Sequence, residues 1–431
     1  MPIIKDLEKA KNKIKRISSR FSLSNRFKEF KAVEKIINNV RENGDKALIY
    51  YTKKFDRVKL QSLKITKKEI ADSTKHINND LITSIKIAIK RIRAFQEKSK
   101  PKNLYVQNKD EKISYLYKPL DSVGIYIPSG KSPLISTVLM TAILAKVAGV
   151  KRITIFTPPP VHSGILAACK LLDINEVYQI GGAQAIAAAA YGSESIKPVD
   201  KIIGPGNIYV TIAKKIVLGD VGIDGLYGPS EISIIADKTA NPKYLAMDLL
   251  SQLEHGSGLE SATLFTNNKE VAKKTEKHLF KFAKILPNKN AVLKSWSNNS
   301  AIFLLKNLNK VSELVNLLAP EHLEIITKSP SKFLSKINNA GAVFLGKYSC
   351  ESIGDYIAGP SHCLPTGGTA RFSSGLTVFD FIKKVSVIEF NEKSFKKIAK
   401  HVANLADAEK LKAHGDAIRI RNGEFGMGNG E

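Results

Sequence analysis

The sequence predicts an α/β protein made of two Rossmann-like, doubly wound units with small N- and C-terminal extensions. Three observations lead there. Between Ser122 and Ile203 short apolar runs alternate with helical stretches. A second alternating series begins at Glu231. The chain has 431 residues, too long for one ordinary core. Strands that alternate with helices in this way argue for parallel sheets.

The elements follow in order. Phe27 to Glu42 and Lys67 to Lys98 carry apolar residues at spacings of three and four and read as helices, punctuated by Gly44 and Pro101. Ser122 to Ile127 is a short apolar run closed by Pro128, and reads as a buried strand. Thr137 to Val147 is a helix closed by Gly149. Arg152 to Thr157 is a strand stopped by Pro158, Pro159 and Pro160. Gly164 to Leu172 reads as helix, Glu176 to Ile180 as strand, Ala183 to Tyr191 as an Ala-rich helix, and Lys201 to Ile203 as strand. The second series places strands at Glu231–Ala236, Ala262–Thr266, Ala301–Leu305, Leu323–Ile326 and Ala342–Leu345. A strand-and-helix tail runs from Thr377 to Arg421. The Gly-rich end, Gly423 to Glu431, is expected to lack structure.

Composition narrows the function classes. Hydrophobic residues make up 43% and charged residues 25%, as in a globular protein. The richest apolar stretch, Leu134 to Val150, is broken by Ser136, Thr137, Thr141 and Lys146, so no membrane span is expected. The N-terminus has no apolar core of the signal-peptide kind, and a cytoplasmic location is expected. Cys169, Cys350 and Cys363 lack paired spacing, which disfavours a disulfide framework and an all-thiolate metal site. The net charge of +27 comes mostly from scattered Lys, without an Arg-rich arm or aromatic-basic alternation. It reads as a solvated surface rather than a nucleic-acid face.

Four segments carry chemistry. Gln252 and His255 stand three apart at the end of the helix that starts after Pro242, so both side chains share one face. An imidazole is a good zinc ligand and an amide oxygen an unusual one; the alternative is a helix C-terminus capped by Gly256. Pro320-Glu321-His322-Leu323 sets at a helix-to-strand junction two residues fit for acid/base work; the alternative is a polar loop with a local ion pair. Gly354-Asp355-Tyr356 and the Gly/Pro-dense run from Gly359 to Gly368, with His362, read as a site loop, the alternative being a long surface loop. Glu409 and His414 lie in the tail and by themselves read as surface. On the nucleotide side, Gly181-Gly182-Ala183-Gln184 at a helix start and the Gly204-Pro205-Gly206-Asn207 turn can offer N–H groups to a phosphate. The usual Gly-x-Gly-x-x-Gly fingerprint is absent there. Spacing alone therefore points to a nucleotide-binding α/β protein with a metal, and leaves the reaction open.

Taken together, these segments resemble histidinol dehydrogenase, in order and over nearly the whole chain. The match includes Val123 to Pro128, Gly181 to Ala187, Gly204 to Asn207, Gly228-Pro229-Ser230-Glu231, Gln252 to Gly256, Pro320 to Leu323, Gly354 to Tyr356, His362 with Leu364-Pro365-Thr366, and Ala413-His414. Two departures are Ser129-Gly130-Lys131-Ser132-Pro133, where the family has a more Gly/Ala-rich turn, and Ser361, where Asn is commoner.

The resemblance implies a zinc-dependent, NAD-linked oxidation of L-histidinol to L-histidine through a bound aldehyde, on an aldehyde-dehydrogenase-like arrangement. It makes Gln252, His255, Asp355 and His414 the ligands of one zinc per subunit. Glu321 and His322 become the catalytic pair. Ser230, Gln252, His255, Glu321, His322, Asp355, His362, Glu409 and His414 become substrate contacts, and Tyr126, Gln184 and Asn207 NAD contacts. The implied division is 1–25 as an N-terminal helical extension, 26–118 with 231–375 as the zinc-bearing catalytic domain, 119–230 as the NAD domain, and 376–431 as a dimerisation segment. The implied partners are L-histidinol, NAD and a second copy of the chain, with the tail reaching the partner's site; no nucleic acid and no membrane are expected. The rival readings are a dehydrogenase of another amino alcohol, a zinc hydrolase, a basic nucleic-acid binder and a thiol-dependent aldehyde dehydrogenase.

Overall fold

The computed structural model describes residues 3–21, 23–129 and 132–424. The chain divides into two compact units. The larger comprises Met1–Lys100 and Leu120–Phe381, the smaller Pro101–Pro119 and Ile382–Glu431.

The larger unit contains two five-stranded parallel sheets. In the first the spatial order is Val177–Tyr178, Arg152–Phe156, Ser122–Tyr126, Lys201–Ile203, Gly222–Ile223. Numbered along the chain this is 3-2-1-4-5, the order of a doubly wound sheet, whose crevice opens between strands 1 and 4. The second sheet repeats that order with Ala301–Leu304, Ser261–Thr266, Glu231–Ala236, His322–Ile326 and Ala342–Leu345. The two Rossmann-like units expected from the alternating pattern are thus present.

Local chemistry explains the elements. The helix Ile135–Ala148 is apolar nearly all round because it is buried on almost every side, and Gly149 closes it at φ 97°. The helix from Phe27 continues past Glu42 to Phe55, with Gly44 at φ 46° absorbing a kink. The expected helix over Lys67 to Lys98 is divided, because the Asn78 side chain accepts from Leu81 N–H and starts a new helix at Asn79. The N-terminal extension is part of the second sheet's surroundings. Ala10, Ile14 and Ile17 are buried in its core, and Ile4 bridges to Phe303.

The smaller unit is a three-stranded antiparallel sheet, Leu104–Gln107, Glu111–Pro119 and Ile382–Phe390, with helices Glu392–Ala408 and Lys412–Arg421. Residues 425–431 of the Gly-rich end lie outside the described residues. Among the described residues no helix is long and apolar enough to cross a membrane.

Candidate active site

A cleft of about 1060 Å³ opens in the larger unit. One wall comes from the carboxyl ends of strands 1 and 4 of the first sheet, through Pro128 and Pro205 to Ile208. Gly204 is required there: its φ is +112°, and a Cβ would fall 2.3 Å from the Tyr126 carbonyl oxygen. Asn207 lines the cleft and caps the next helix, accepting from Tyr209 and Val210 N–H.

The other wall comes from the amino ends of strands in the second sheet, the opposite edge from the one an open α/β sheet ordinarily uses. Here stand Ser230, Glu321 and His322. Ala319 caps the helix Val311–Leu318 at φ 49°, Pro320 prevents its continuation, and Glu321 and His322 emerge at the start of the strand. His322 is 2% exposed. Its Nδ1–H donates to the Glu231 carbonyl at 3.0 Å, while its Nε2 has no hydrogen-bond partner. Glu321 Oε2 accepts from Glu231 N–H at 2.9 Å and lies 3.7 Å from His322 Nδ1.

Asp355 and His362 complete this wall. Asp355 Oδ1 lies 3.8 Å from His322 Nε2 and 3.9 Å from His362 Nδ1. His362 Nδ1–H donates to the Asp355 carbonyl at 3.0 Å, and its Nε2 meets Thr137 Oγ1 at 3.1 Å. Burial holds the His362 imidazole below its ordinary basicity. Burial alone would also lower His322, but the carboxylates of Glu321, Asp355 and Glu351 outweigh it and raise it. Burial pushes Glu321 upward, the chief cause being loss of solvent around its charge. Burial opposes the ionised form of Asp355 too, yet its contacts with His322, His362 and Glu351 hold it well below the usual carboxylate range.

The implied metal ligands divide between the units. Gln252, His255 and Asp355 line the cleft; Gln252 is buried, and its Oε1 has no partner. The helix stops at Leu253, two residues short of His255, so the shared helical face is not continued to it, and His255 Nδ1–H donates to Gln252 O at 3.1 Å. An orphaned amide oxygen, an imidazole and an ionised carboxylate are a donor set that suits zinc. The tightest acidic-histidine grouping among the described residues is different: His322, Glu351 and Asp355, with ligand atoms within 4.8 Å of one another. Glu351 is one helical turn before Asp355, a spacing that could have drawn attention to it. Glu409 and His414 are exposed in the smaller unit, at the end of Glu392–Ala408 and in Lys412–Arg421.

Tyr126 and Gln184 are buried and do not line the cleft. The Tyr126 hydroxyl accepts from Gly182 N–H at 3.1 Å, which occupies one N–H of the Gly-opened helix start expected to face phosphate. Gln184 Oε1 is buried without a partner. Burial raises the thiols of Cys169 and Cys363, and neither reaches a thiolate setting.

The Histidinol dehydrogenase family model matches residues 21–422. A histidinol dehydrogenase of Clostridium acetobutylicum is 47% identical over 397 residues, covering 91% of this chain and 92% of the relative. One from Bacillus cereus is 43% identical over 423 residues, covering 97% and 98%. The solved structure of histidinol dehydrogenase from Elizabethkingia anophelis superposes with a TM-score of 0.91 at 37% identity, covering 98% of this chain and 97% of that one.

Proposed function

Because the chain belongs to the histidinol dehydrogenase family, a family of NAD-dependent oxidoreductases, we propose that this cleft oxidises L-histidinol to L-histidine through the pair Glu321 and His322. The observation that carries the assignment is His322: buried, fixed by its Nδ1–H, and left with a free Nε2 on a cleft wall.

In the alcohol step the unprotonated form of His322 takes the hydroxyl proton at Nε2 as the carbinol carbon gives up hydride; because the neighbouring carboxylates raise the imidazole's proton affinity, that form and the step gain as pH rises. In the aldehyde step Glu321 removes a proton from the attacking water. Its raised affinity for protons suits a base that works near neutrality. The buried wall keeps the reactive aldehyde from bulk water between the two steps. When bound, NAD accepts hydride in each step, and zinc supplies a fixed template for the substrate's amine and imidazole nitrogens. Gln252, His255 and Asp355 would hold that zinc, with His414 from a second copy of the chain as the fourth ligand. Ser230, His362 and Glu409 would contact substrate, and Tyr126, Gln184 and Asn207 would serve NAD.

The domain roles follow the same reading: 119–230 for NAD, 231–375 for zinc and catalysis, and 376–431 for the shared site of a cytoplasmic homodimer. Of the segment 26–118 grouped with 231–375, the buried apolar side chains from Val33 to Leu63 pack in the first sheet's core, and from Pro101 on it belongs to the smaller unit. Val106, Ile388 and Leu405 of the smaller unit are apolar and exposed, side chains a second copy would cover.

The test is NAD reduction by the zinc-loaded protein with L-histidinol, before and after a chelator, beside an amino alcohol that lacks the imidazole. Chelator-sensitive turnover restricted to histidinol supports the reading. Equal turnover of both alcohols, or none, counts against it.

A further inference from the structure

Arg20 follows the N-terminal helix Leu7–Ser18, and its side chain is only 5% exposed. All three nitrogens of its guanidinium are engaged. Nη1 donates to Glu231 Oε1 at 2.6 Å and to Ile17 O at 2.9 Å; Nε donates to Leu259 O at 2.7 Å, and Nη2 to Pro229 O at 3.3 Å. Glu231 in turn holds both members of the proposed catalytic pair. Its N–H donates to Glu321 Oε2, its carbonyl accepts from His322 Nδ1, and its Oε2 lies 3.4 Å from Glu321 N. Glu231 Oε1 also accepts from Gly367 N–H at 3.1 Å, tying in the loop that follows His362. Neither Arg20 nor Glu231 lines the cleft.

We infer that the Arg20–Glu231 ion pair is a positioning device for Glu321 and His322. A planar guanidinium anchored by three backbone carbonyls fixes Glu231 through the single Nη1–Oε1 contact. The fixed backbone of Glu231 then holds His322 as its Nδ1–H tautomer, with Nε2 available as base, and aims the Glu321 carboxylate. A buried ion pair is a poor way to gain stability alone, because desolvation offsets the attraction. A pair bonded on several sides beside a base that depends on its tautomer fits a role in geometry. The inference rests on the assignment of Glu321 and His322 above.

The test uses the zinc-loaded full chain with Arg20→Lys, which keeps the charge and loses the planar guanidinium, and Glu231→Gln, which keeps the shape and loses the charge. For each, zinc content, melting temperature, and kcat and KM for histidinol and for histidinaldehyde are measured. The expected result is at least a tenfold fall in kcat in both half-reactions, with KM values within about twofold and zinc retained. Nitrogen resonances of labelled His322, read in its unprotonated form at high pH, should show the Nδ1–H tautomer in the parent protein and a mixture in the variants. Unchanged kcat and tautomer in folded variants overturns the inference. So does loss of fold in both variants, which would make the pair a structural strut. A Glu321→Gln control separates the two claims: an intact aldehyde half-reaction there sinks the catalytic assignment rather than the ion pair.

Discussion

Nε2 of His322 stands 3.8 Å from Oδ1 of Asp355 and makes no hydrogen bond of its own. One nitrogen is spent on orientation and the other is left beside a carboxylate held ionised. This arrangement suits proton transfer at a carbinol next to a metal-held substrate, and the predictions below start from it.

Replacing His322 with Asn should lower kcat by about a hundred- to ten-thousand-fold, the usual worth of a positioned acid/base. Zinc should remain bound, because the proposed ligands are untouched. Glu321→Gln should slow the aldehyde half-reaction more than the alcohol half. Single-turnover NADH formation from each substrate distinguishes them; equal zinc loss in both variants would show the roles misassigned.

Metal content decides between two ligand sets that share Asp355. Asp355→Asn should empty the site in either case. His255→Asn should lose zinc, and Glu351→Gln should keep it, if Gln252, His255 and Asp355 bind. The reverse pattern would favour the compact His322, Glu351 and Asp355 grouping. Metal per subunit after dialysis against a weak chelator is the readout.

Gly204→Ala should impair the NAD wall. The left-handed φ of 112° and the 2.3 Å approach to Tyr126 O leave no room for a methyl group. A cost of about 1–3 kcal/mol is expected from backbone strain of this kind. Thermal melting and the KM for NAD should both worsen, with the KM for histidinol less affected.

Asp56 gives a pH-dependent effect away from the site. It ends the helix Phe27–Phe55, its Oδ2 is buried without a partner, and burial raises its pKa from 3.8 to about 6. A carboxyl raised in the folded state stabilises most below its unfolded pKa, and the contribution is lost as pH rises through about 6. Asp56→Asn should therefore stabilise at pH 8 by roughly 1–2 kcal/mol after solvent screening, with the difference vanishing near pH 4. Denaturant melts at both pH values check it; equal gains at both would contradict the cause.

Much of this was legible in the sequence. Apolar runs such as Glu231–Ala236 and Ala262–Thr266 announce buried parallel strands because both faces are covered. The pair Glu321 and His322 was visible because Pro320 must end the helix before it. The strand Glu111–Pro119 was not, since all but one of its residues are exposed or only half-buried and its partner, Ile382–Phe390, is far away in the chain. Arg20 was equally hidden: nothing near it in sequence shows that Glu231 would close over it. Glu231 stood within a recognised motif, but its work is done largely by its backbone, which residue type does not reveal.

The most direct measurement is the number of NADH molecules formed per histidine by the zinc-loaded protein given L-histidinol and excess NAD. The account predicts two, with no free aldehyde trapped by an added carbonyl reagent. One NADH per histidinol consumed, with aldehyde released to the trap, would contradict a single site in which Glu321 and His322 run both oxidations.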